Sequence, residues 1–245
     1  MSEVRLRHAE RCMGTVFSFV VVGSDDASVL DPALGRLHQI DAVFSTYRDD
    51  SPVSRLGRGD IGIDDCPPDV AHVLDLCAQA TRDTGGWFSA VAAGRLDPSG
   101  LVKGWAVDEA SRLLSAGGHP FHCINGGGDV FGAGGPWRIG VEHPRQPGQL
   151  LTVVAGTDIA VATSGTGQRG AHIIDPYTRR PATALASVTV VGRSLTRADV
   201  LATAACARGL EAPGWLAHLD GYDSLVVRAD GTTWSSAAMS ERLAP

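Results

Sequence analysis

The sequence lacks both a surplus of basic residues and an apolar run long enough to cross a membrane. Its 21 Lys and Arg are outnumbered by 27 Asp and Glu, which gives a formal net charge of -6. This balance argues against a nucleic-acid-binding protein, because such proteins usually present a basic face. The longest apolar stretch, Val16 to Val22, is far shorter than the roughly 20 residues of a membrane-spanning helix. We therefore expect neither a nucleic-acid partner nor a membrane anchor.

Paired cysteines and a secretion signal are also absent. The segment from Met1 to Glu10 is charged and contains no apolar stretch of the kind found in signal peptides. The cysteines are odd in number and form no CxxC pair, which indicates free thiols in a reducing compartment rather than a disulfide framework. We therefore predict a cytoplasmic protein. The five cysteines are Cys12, Cys66, Cys77, Cys123 and Cys206.

Three common catalytic or cofactor-binding motifs are missing. There is no HExxH and no paired Cys/His spacing, which argues against a zinc site. There is no GxSxG, which excludes an α/β-hydrolase. The glycine run of Asn125–Asp129 does not match GxGxxG, and no predicted helix follows it, so we reject a Rossmann dinucleotide site.

Apolar residues and clustered glycines are plentiful. Hydrophobic residues make up 44% of the 245-residue chain, enough to form a substantial core. The 30 glycines exceed the usual share of roughly 7%. Because they occur in short groups, they favour tight turns or close approach of the backbone to a ligand.

Apolar periodicity predicts an α+β fold. Helices are predicted where apolar residues recur every three or four positions, and strands where β-branched residues concentrate. Since strands come in consecutive runs as well as alternating with helices, we predict a mixed or antiparallel sheet flanked by helices. The sequence has no repeat of fixed period and no linker that would mark a domain boundary, so we predict one domain over residues 1–245. The predicted helices cover 25–44, 68–83, 104–116, 197–208 and 213–218. The predicted strands cover 15–22, 121–124, 137–141, 151–155, 159–162, 187–191 and 224–227.

The segment Thr163–Pro176 is the strongest local indication of chemistry. A turn of small residues, with backbone N–H groups able to face an anion, leads into His172, which opens a short apolar strand ended by Asp175-Pro176. An imidazole beside such donors is typical of a site that binds or breaks a phosphate ester. The alternative is a surface or core histidine, which is the commoner role for a lone one.

A second candidate site combines a carboxylate with a hydroxyl. Asp199 and Thr203 lie four positions apart in a predicted helix, so both project from one face. Oxygen ligands of this kind suit Mg²⁺, which also retains sites for water and substrate phosphate. The alternative is that Asp199 caps the helix start behind Thr196 while Thr203 packs.

Lys103 is predicted to begin a helix after the turn Asp97–Gly100. A cation at a helix N-terminus is unfavourable unless an anion lies beside it, which indicates a phosphate-bearing ligand. The alternative is an ordinary loop with a solvated lysine. The glycines of Asn125–Asp129 allow the same choice between ligand contact and a plain turn.

Several aromatic and sulfur-containing side chains could face a flat ring. Tyr47 lies in a polar turn after the first predicted helix, and Met13 precedes the first predicted strand; a phenol or a thioether can pack against such a ring. Trp87 and Phe88 follow a glycine pair. Core filling is the alternative for all four.

In their order and spacing, these segments resemble the ApbE family of FAD:protein FMN transferases. The resemblance spans about residues 11–210. It rests on Met13–Thr15, Phe44–Tyr47, Asp97–Asp108, Asn125–Asp129, Thr163–Gly165, His172–Pro176, and Ala198-Asp199 with Thr203. It implies an enzyme that binds FAD, uses Mg²⁺ to split the pyrophosphate, and passes FMN to a threonine or serine hydroxyl of an acceptor protein while AMP leaves.

The resemblance also implies roles for individual residues. Asp199, Thr203 and the carbonyl of Gly100 would hold Mg²⁺, and His172 would be the catalytic residue. A separate group would contact FAD. Its members are Met13, Tyr47, Asp97, Lys103 and Ile174, together with Trp87, Phe88 and Ser89 of the glycine-pair segment.

The sequence departs from the family in one place. Relatives commonly read Gly-x-Phe-Asp-Pro where this chain has Gly86–Ala90, and their longer insert is reduced to Val91–Leu96. This change leaves two alternatives to FMN transfer: hydrolysis of FAD to FMN and AMP, or FAD binding without catalysis. The acceptor is expected to carry a Ser/Thr-Gly-Ala-Thr-like site. Since many relatives are exported lipoproteins and this chain shows no signal, the acceptor domain is also expected to face the cytoplasm or to be a soluble protein.

Overall fold

The computed structural model describes residues 4–167, 170 and 172–242. These residues form one large sheet with helices packed on one face and a two-stranded sheet packed on the other. Gln168, Arg169 and Ala171 of the segment before His172 lie outside the described residues. The strands are β1 (Arg5–Cys12), β2 (Thr15–Val22), β3 (His122–Gly126), β4 (Asp129–Ala133), β5 (Trp137–Glu142), β6 (Leu150–Gly156), β7 (Ile159–Gly165), β8 (Leu185–Gly192), β9 (Asp223–Arg228) and β10 (Thr233–Ser235). The helices are α1 (Asp31–Phe44), α2 (Pro52–Arg58), α3 (Pro68–Asp83), α4 (Ser99–Ala116), α5 (Leu195–Arg208), α6 (Ala212–Leu216) and α7 (Met239–Arg242).

The large sheet contains eight strands in the order β1-β2-β3-β4-β7-β8-β9-β10. Every pairing between its described strands is antiparallel, and β5 and β6 form a separate two-stranded sheet. The α+β class with a mixed or antiparallel sheet is therefore confirmed.

Both faces of the central strands are covered. Along β7, Ala160 and Ala162 face a large core that includes the buried sides of α1, α3, α4 and α5. Ile159 and Val161 face a smaller core shared with Ile139 and other residues of the β5–β6 pair. Strand β8 pairs with β7 and lies between the same two cores. Because side chains alternate between the two faces of a strand, all eight residues of β8 are buried.

Most predicted elements are present with small shifts in their ends. Helix α3 has the predicted bounds, and its buried Val70, Val73, Cys77 and Ala80 follow the helical repeat. The helix predicted from residue 25 is instead a short 3-10 turn followed by α1, whose Pro32 lies in the first turn. Proline is tolerated there because the first N–H groups have no partner inside the helix.

Two predictions about the site segments are wrong. Helix α4 begins at Ser99, not near Lys103, because the carbonyl of Pro98 accepts the N–H groups of Leu101 and Val102. The apolar residues after His172 do not form a strand; Ile174 makes a single bridge to Pro181. The Asp175 carboxylate instead accepts the N–H groups of Tyr177 and Thr178, which bends the chain into a turn.

Candidate functional site

The first turn of α4 meets the middle of α5. A methyl group built on Gly100 would lie 3.7 Å from the Thr203 hydroxyl oxygen and 3.4 Å from the Phe88 ring. Thr203 Oγ1 is also 3.2 Å from Oγ of Ser164, near the end of β7. Asp199 is one helical turn before Thr203 and only 3% exposed. The structure therefore brings the three predicted metal ligands to one helix pair.

The oxygen atoms that these neighbouring segments offer match the preferences of a hard divalent cation. They comprise a buried carboxylate, two hydroxyls and the backbone at Gly100, and Mg²⁺ binds through few protein oxygens while retaining water. No group of three or more His, Cys, Asp or Glu side chains with metal-binding geometry occurs in the part of the chain that the structure describes. A site built from one carboxylate, hydroxyls and a carbonyl does not need such a group. Its ligands are all oxygen atoms, so the residues present fit Mg²⁺.

Lys103 is paired with a buried acidic residue. Its ammonium forms an ion pair with Asp129, which is 1% exposed. The other oxygen of Asp129 accepts the N–H of Thr163 at 2.8 Å. Since α4 begins a full turn earlier, Lys103 does not oppose the first turn of the helix; Asp129 balances its charge and joins α4 to β4 and β7. The sequence predicts a ligand anion beside Lys103, but in the structure the Asp129 carboxylate supplies the negative charge.

Two tight hairpin turns border a neighbouring cavity. Met13 and Gly14 both have positive φ, 52° and 69°, in the turn between β1 and β2. Gly127 and Gly128 also have positive φ in the turn between β3 and β4, so this glycine run forms a hairpin. The cavity between the turns has a volume of about 680 Å³ and is lined by Met13, Asn125, Gly127 and Gly128, among others. It is large enough for part of a nucleotide-sized ligand.

Trp87 lies in a stack of aromatic and cationic groups. Its ring meets Tyr177 edge-on with 4.7 Å between ring centroids. The guanidinium of Arg208, at the end of α5, lies 5.6 Å from the Trp87 ring and 5.7 Å from the Trp215 ring. The Tyr177 hydroxyl donates to the carbonyl of Gly85. The stack thus joins α5, the glycine-pair segment and the turn that follows His172.

His172 is exposed and lies in that turn region. Its Nδ1 is 3.1 Å from the carbonyl oxygen of Gly170. A carbonyl only accepts, so Nδ1 carries the proton and Nε2 is left as the basic nitrogen. Nearby, partial burial of Asp175 would raise its pKa, but hydrogen bonds from Thr178 and Tyr177 outweigh burial and hold the pKa below its usual value.

The remaining predicted FAD contacts have mixed environments. Phe88 is 3% exposed and contributes to the large core, whereas Tyr47 is 91% exposed. Asp97 accepts the N–H of Ser99 at 3.1 Å and so begins α4. Ser89 accepts the N–H of Val91 at 3.2 Å in the shortened segment. Ile174 is half-buried.

Sequence reasoning missed three residues near these groups. Asp129 and Arg208 were not singled out, and Asp108 was given no role. A hairpin signal of adjacent glycines preceded Asp129 and could have placed it at a strand start. Asp108 and Arg208 act through contacts with residues distant in sequence, which a single sequence does not reveal.

All five cysteines are free thiols. The thiol of Cys206 donates to the carbonyl of Ser164, and burial raises the pKa of Cys206 to about 12.

The fold is that of solved flavin transferase structures. It matches the flavin transferase ApbE from Vibrio cholerae with a TM-score of 0.85 and 22% identity, covering 99% of this chain and 100% of that one. It matches the flavinyl transferase ApbE of Pseudomonas stutzeri, in its apo form, with a TM-score of 0.84 and 23% identity, covering 100% and 99% of the two chains. At these identities the likeness establishes the fold.

The sequence establishes the family. The ApbE family model matches residues 13–94 and 89–226, so this chain belongs to the ApbE family. A FAD:protein FMN transferase of Rhodobacter capsulatus is 33% identical over 233 residues, which are 88% of this chain and 42% of that protein. A second one, from Vibrio cholerae serotype O1, is 35% identical over 131 residues, 47% of this chain and 39% of that protein. The chain thus spans less than half the length of these curated relatives.

None of the described helices combines the length and apolar character needed to cross a membrane.

Proposed function

We propose that this protein transfers FMN from FAD to a threonine or serine hydroxyl of an acceptor protein, with Mg²⁺ as cofactor, and releases AMP. The observation that carries the proposal is the contact of Thr203 with Gly100 at the α4–α5 junction, with the buried Asp199 carboxylate one helical turn earlier on α5. Membership of the ApbE family and relatives named FAD:protein FMN transferase support the same reaction.

Asp199, Thr203 and the carbonyl of Gly100 would hold the Mg²⁺. When bound, the ion supplies positive charge that neutralises phosphate oxygens during phosphoryl transfer. A single buried carboxylate leaves the site able to accept further negative charge from a pyrophosphate. Lys103 would contact the nucleotide through its ammonium group, which the ion pair with Asp129 fixes on α4.

His172 would take the proton from the acceptor hydroxyl. The hydroxyl oxygen forms a bond to the FMN phosphorus, the bond from that phosphorus to the bridging oxygen of AMP breaks, and the proton moves to Nε2 of His172. Nδ1 donates to the Gly170 carbonyl, so Nε2 is the nitrogen that would act as the base. The exposed position of His172 allows a protein substrate to reach it.

The flavin nucleotide would lie between the Met13 turn and the start of α4. We assign its contacts to Met13, Tyr47, Asp97, Lys103 and Ile174, joined by Trp87, Phe88 and Ser89. The cavity beside Met13 provides the volume. A Ser/Thr-Gly-Ala-Thr-like acceptor site and a cytoplasmic location remain predictions from the sequence.

The proposal is tested by incubating the protein with FAD and Mg²⁺, with and without a flavoprotein domain that carries a Ser/Thr-Gly-Ala-Thr site. AMP is measured by chromatography, and bound flavin by fluorescence of the acceptor band on a denaturing gel. Labelled acceptor with matching AMP supports transfer. AMP without labelled acceptor would indicate hydrolysis of FAD instead, and neither product would leave only FAD binding.

A further inference from the structure

Asp108 on α4 binds the beginning of α5. Its Oδ2 accepts from Ser194 Oγ at 3.1 Å, Thr196 Oγ1 at 2.6 Å and Thr196 N–H at 2.9 Å. Its Oδ1 accepts the N–H of Leu195 at 3.1 Å. The first N–H groups of a helix have no partner inside it, and here a carboxylate from a different helix satisfies two of them.

The start of α5 already has a cap of its own. Ser194 occupies the N-cap position, and its Oγ accepts the N–H of Arg197 at 3.3 Å. A helix that needed only capping would be served by that side chain. The additional bonds to Asp108 differ in kind, because they tie α5 to a second helix rather than to its own first turn.

Gly104 lets the two helices approach closely at the same place. A methyl group built on Gly104 would lie 2.7 Å from the carbonyl oxygen of Leu195 and 3.0 Å from Cα of Thr196. No side chain larger than hydrogen fits without a backbone shift. Asp108 is one helical turn further along the same face of α4, so a backbone contact and a carboxylate act on one end of α5.

The same face of α4 also carries the proposed metal site. Gly100 lies one turn before Gly104 and meets Thr203, while Leu195 lies one turn before Asp199 along α5. The two helices therefore contact each other at two points: the Asp108 end sets where α5 starts, and the Gly100 end is where the oxygen ligands must converge. A slip or rotation of α5 at its start would carry Asp199 and Thr203 away from Gly100.

We propose that Asp108 is a positioning residue that holds α5 in register with α4, so that Asp199 and Thr203 meet Gly100. The inference rests on the proposed metal site. Residues that orient metal ligands typically change metal affinity by about 10–100-fold when they are replaced. A residue that only stabilised the helix would lower the melting temperature and leave the affinity of the folded protein unchanged.

A cap transferred into α5 itself distinguishes these roles. Asp108→Ala removes the tie between helices, and Ser194→Asp in the same chain restores a charged N-cap that belongs to α5 alone. Mn²⁺ serves as the probe, with its binding followed by electron paramagnetic resonance without FAD. Melting temperature and hydrogen exchange over residues 195–203 are measured on the same samples.

We expect Asp108→Ala to lower the melting temperature and to weaken Mn²⁺ binding about 10-fold or more. The double variant should regain the melting temperature while Mn²⁺ binding stays weak and exchange over 195–203 stays faster than in the wild type. Affinity that is unchanged in Asp108→Ala, or that returns together with stability, would overturn the positioning role. A wild-type protein that binds no Mn²⁺ would overturn the proposed metal site instead. In that case hydrogen exchange still tests the positioning role: if residues 195–203 of the double variant exchanged as slowly as in the wild type, the coupling of the two helices through Asp108 would be overturned.

Discussion

At the scale of single residues, the charge of Asp199 contributes most to the proposed chemistry. Asp199→Asn keeps the shape of the side chain but removes the only carboxylate among the proposed Mg²⁺ ligands. We expect FMN transfer to fall by at least about 100-fold, since a bound metal supplies several kcal/mol of transition-state stabilisation. The measurement is the rate of AMP release with FAD and acceptor present.

Asp230→Asn is the matched control for that substitution. Asp230 accepts two hydrogen bonds from Thr232 in an exposed turn and has no part in the site. Its replacement should leave the transfer rate within a factor of about 2, as expected for surface changes. Equal rates for Asp199→Asn and Asp230→Asn would rule out the metal assignment.

The role of His172 is tested independently of the metal. His172→Ala should lower the transfer rate by about 100-fold or more, the usual contribution of a general base, while FAD binding measured by flavin fluorescence quenching is retained. His38→Ala, which removes another exposed imidazole, should have no such effect. Full activity of His172→Ala would exclude it as the base.

At the scale of elements, Arg208 joins α5 to the segment that carries Trp87. Arg208→Met keeps the length of the side chain but loses the charge that faces the Trp87 and Trp215 rings. We expect a loss of about 1–2 kcal/mol in the free energy of unfolding, because a partly buried cation is attracted by both rings. Urea titration followed by tryptophan fluorescence measures it.

Two further variants control that measurement. Arg208→Lys keeps a cation and should lose less stability than Arg208→Met. Arg7→Met removes an exposed cation from the edge strand β1 and should change stability by less than about 0.5 kcal/mol. If Arg208→Lys and Arg208→Met lost the same stability, the charge would not contribute.

The elements that the sequence predicts well are those whose burial follows a simple repeat. Helix α3 shows this, since its apolar face is visible in the sequence. Strand β1 escaped prediction because it is an edge strand with charged residues at alternating exposed positions. Helix α2 was also missed; it is short and begins at Ser51-Pro52, which has the composition of a turn.

The site was predicted where its chemistry is local and missed where it depends on the fold. Asp199 and Thr203 share a helix face, so their spacing alone placed them together. An anionic ligand was predicted beside Lys103 because its partner in the fold, Asp129, is distant in sequence and approaches only when β4 packs against α4. Asp108 meets residues 86 to 88 positions away in the chain.

At the scale of the whole molecule, a buried histidine makes stability depend on pH. His122 is fully buried, with Nε2 2.7 Å from Ser111 Oγ and Nδ1 2.7 Å from the carbonyl oxygen of His119. Burial lowers the pKa of His122, and the hydrogen bond to His119 offsets only part of that effect. The folded state therefore favours neutral imidazole, while the unfolded chain takes up a proton below about pH 6.5.

The stability contributed by neutral His122 is complete above the unfolded pKa and is lost as the pH falls toward the folded pKa. The slope is at most about 1.4 kcal/mol per pH unit for this one proton. We expect urea unfolding to show a decrease between about pH 7 and pH 5 that is smaller in His122→Gln, which cannot titrate. Identical decreases in both proteins would contradict this assignment.

The intact mass of an acceptor domain tests FMN transfer most directly. A flavoprotein domain with a Ser/Thr-Gly-Ala-Thr site is incubated with this protein, FAD and Mg²⁺, and then weighed by mass spectrometry. Transfer predicts a gain of one FMN less one water, which disappears with EDTA or with the acceptor hydroxyl replaced. An acceptor of unchanged mass, under conditions where a known transferase modifies it, would contradict the proposed function.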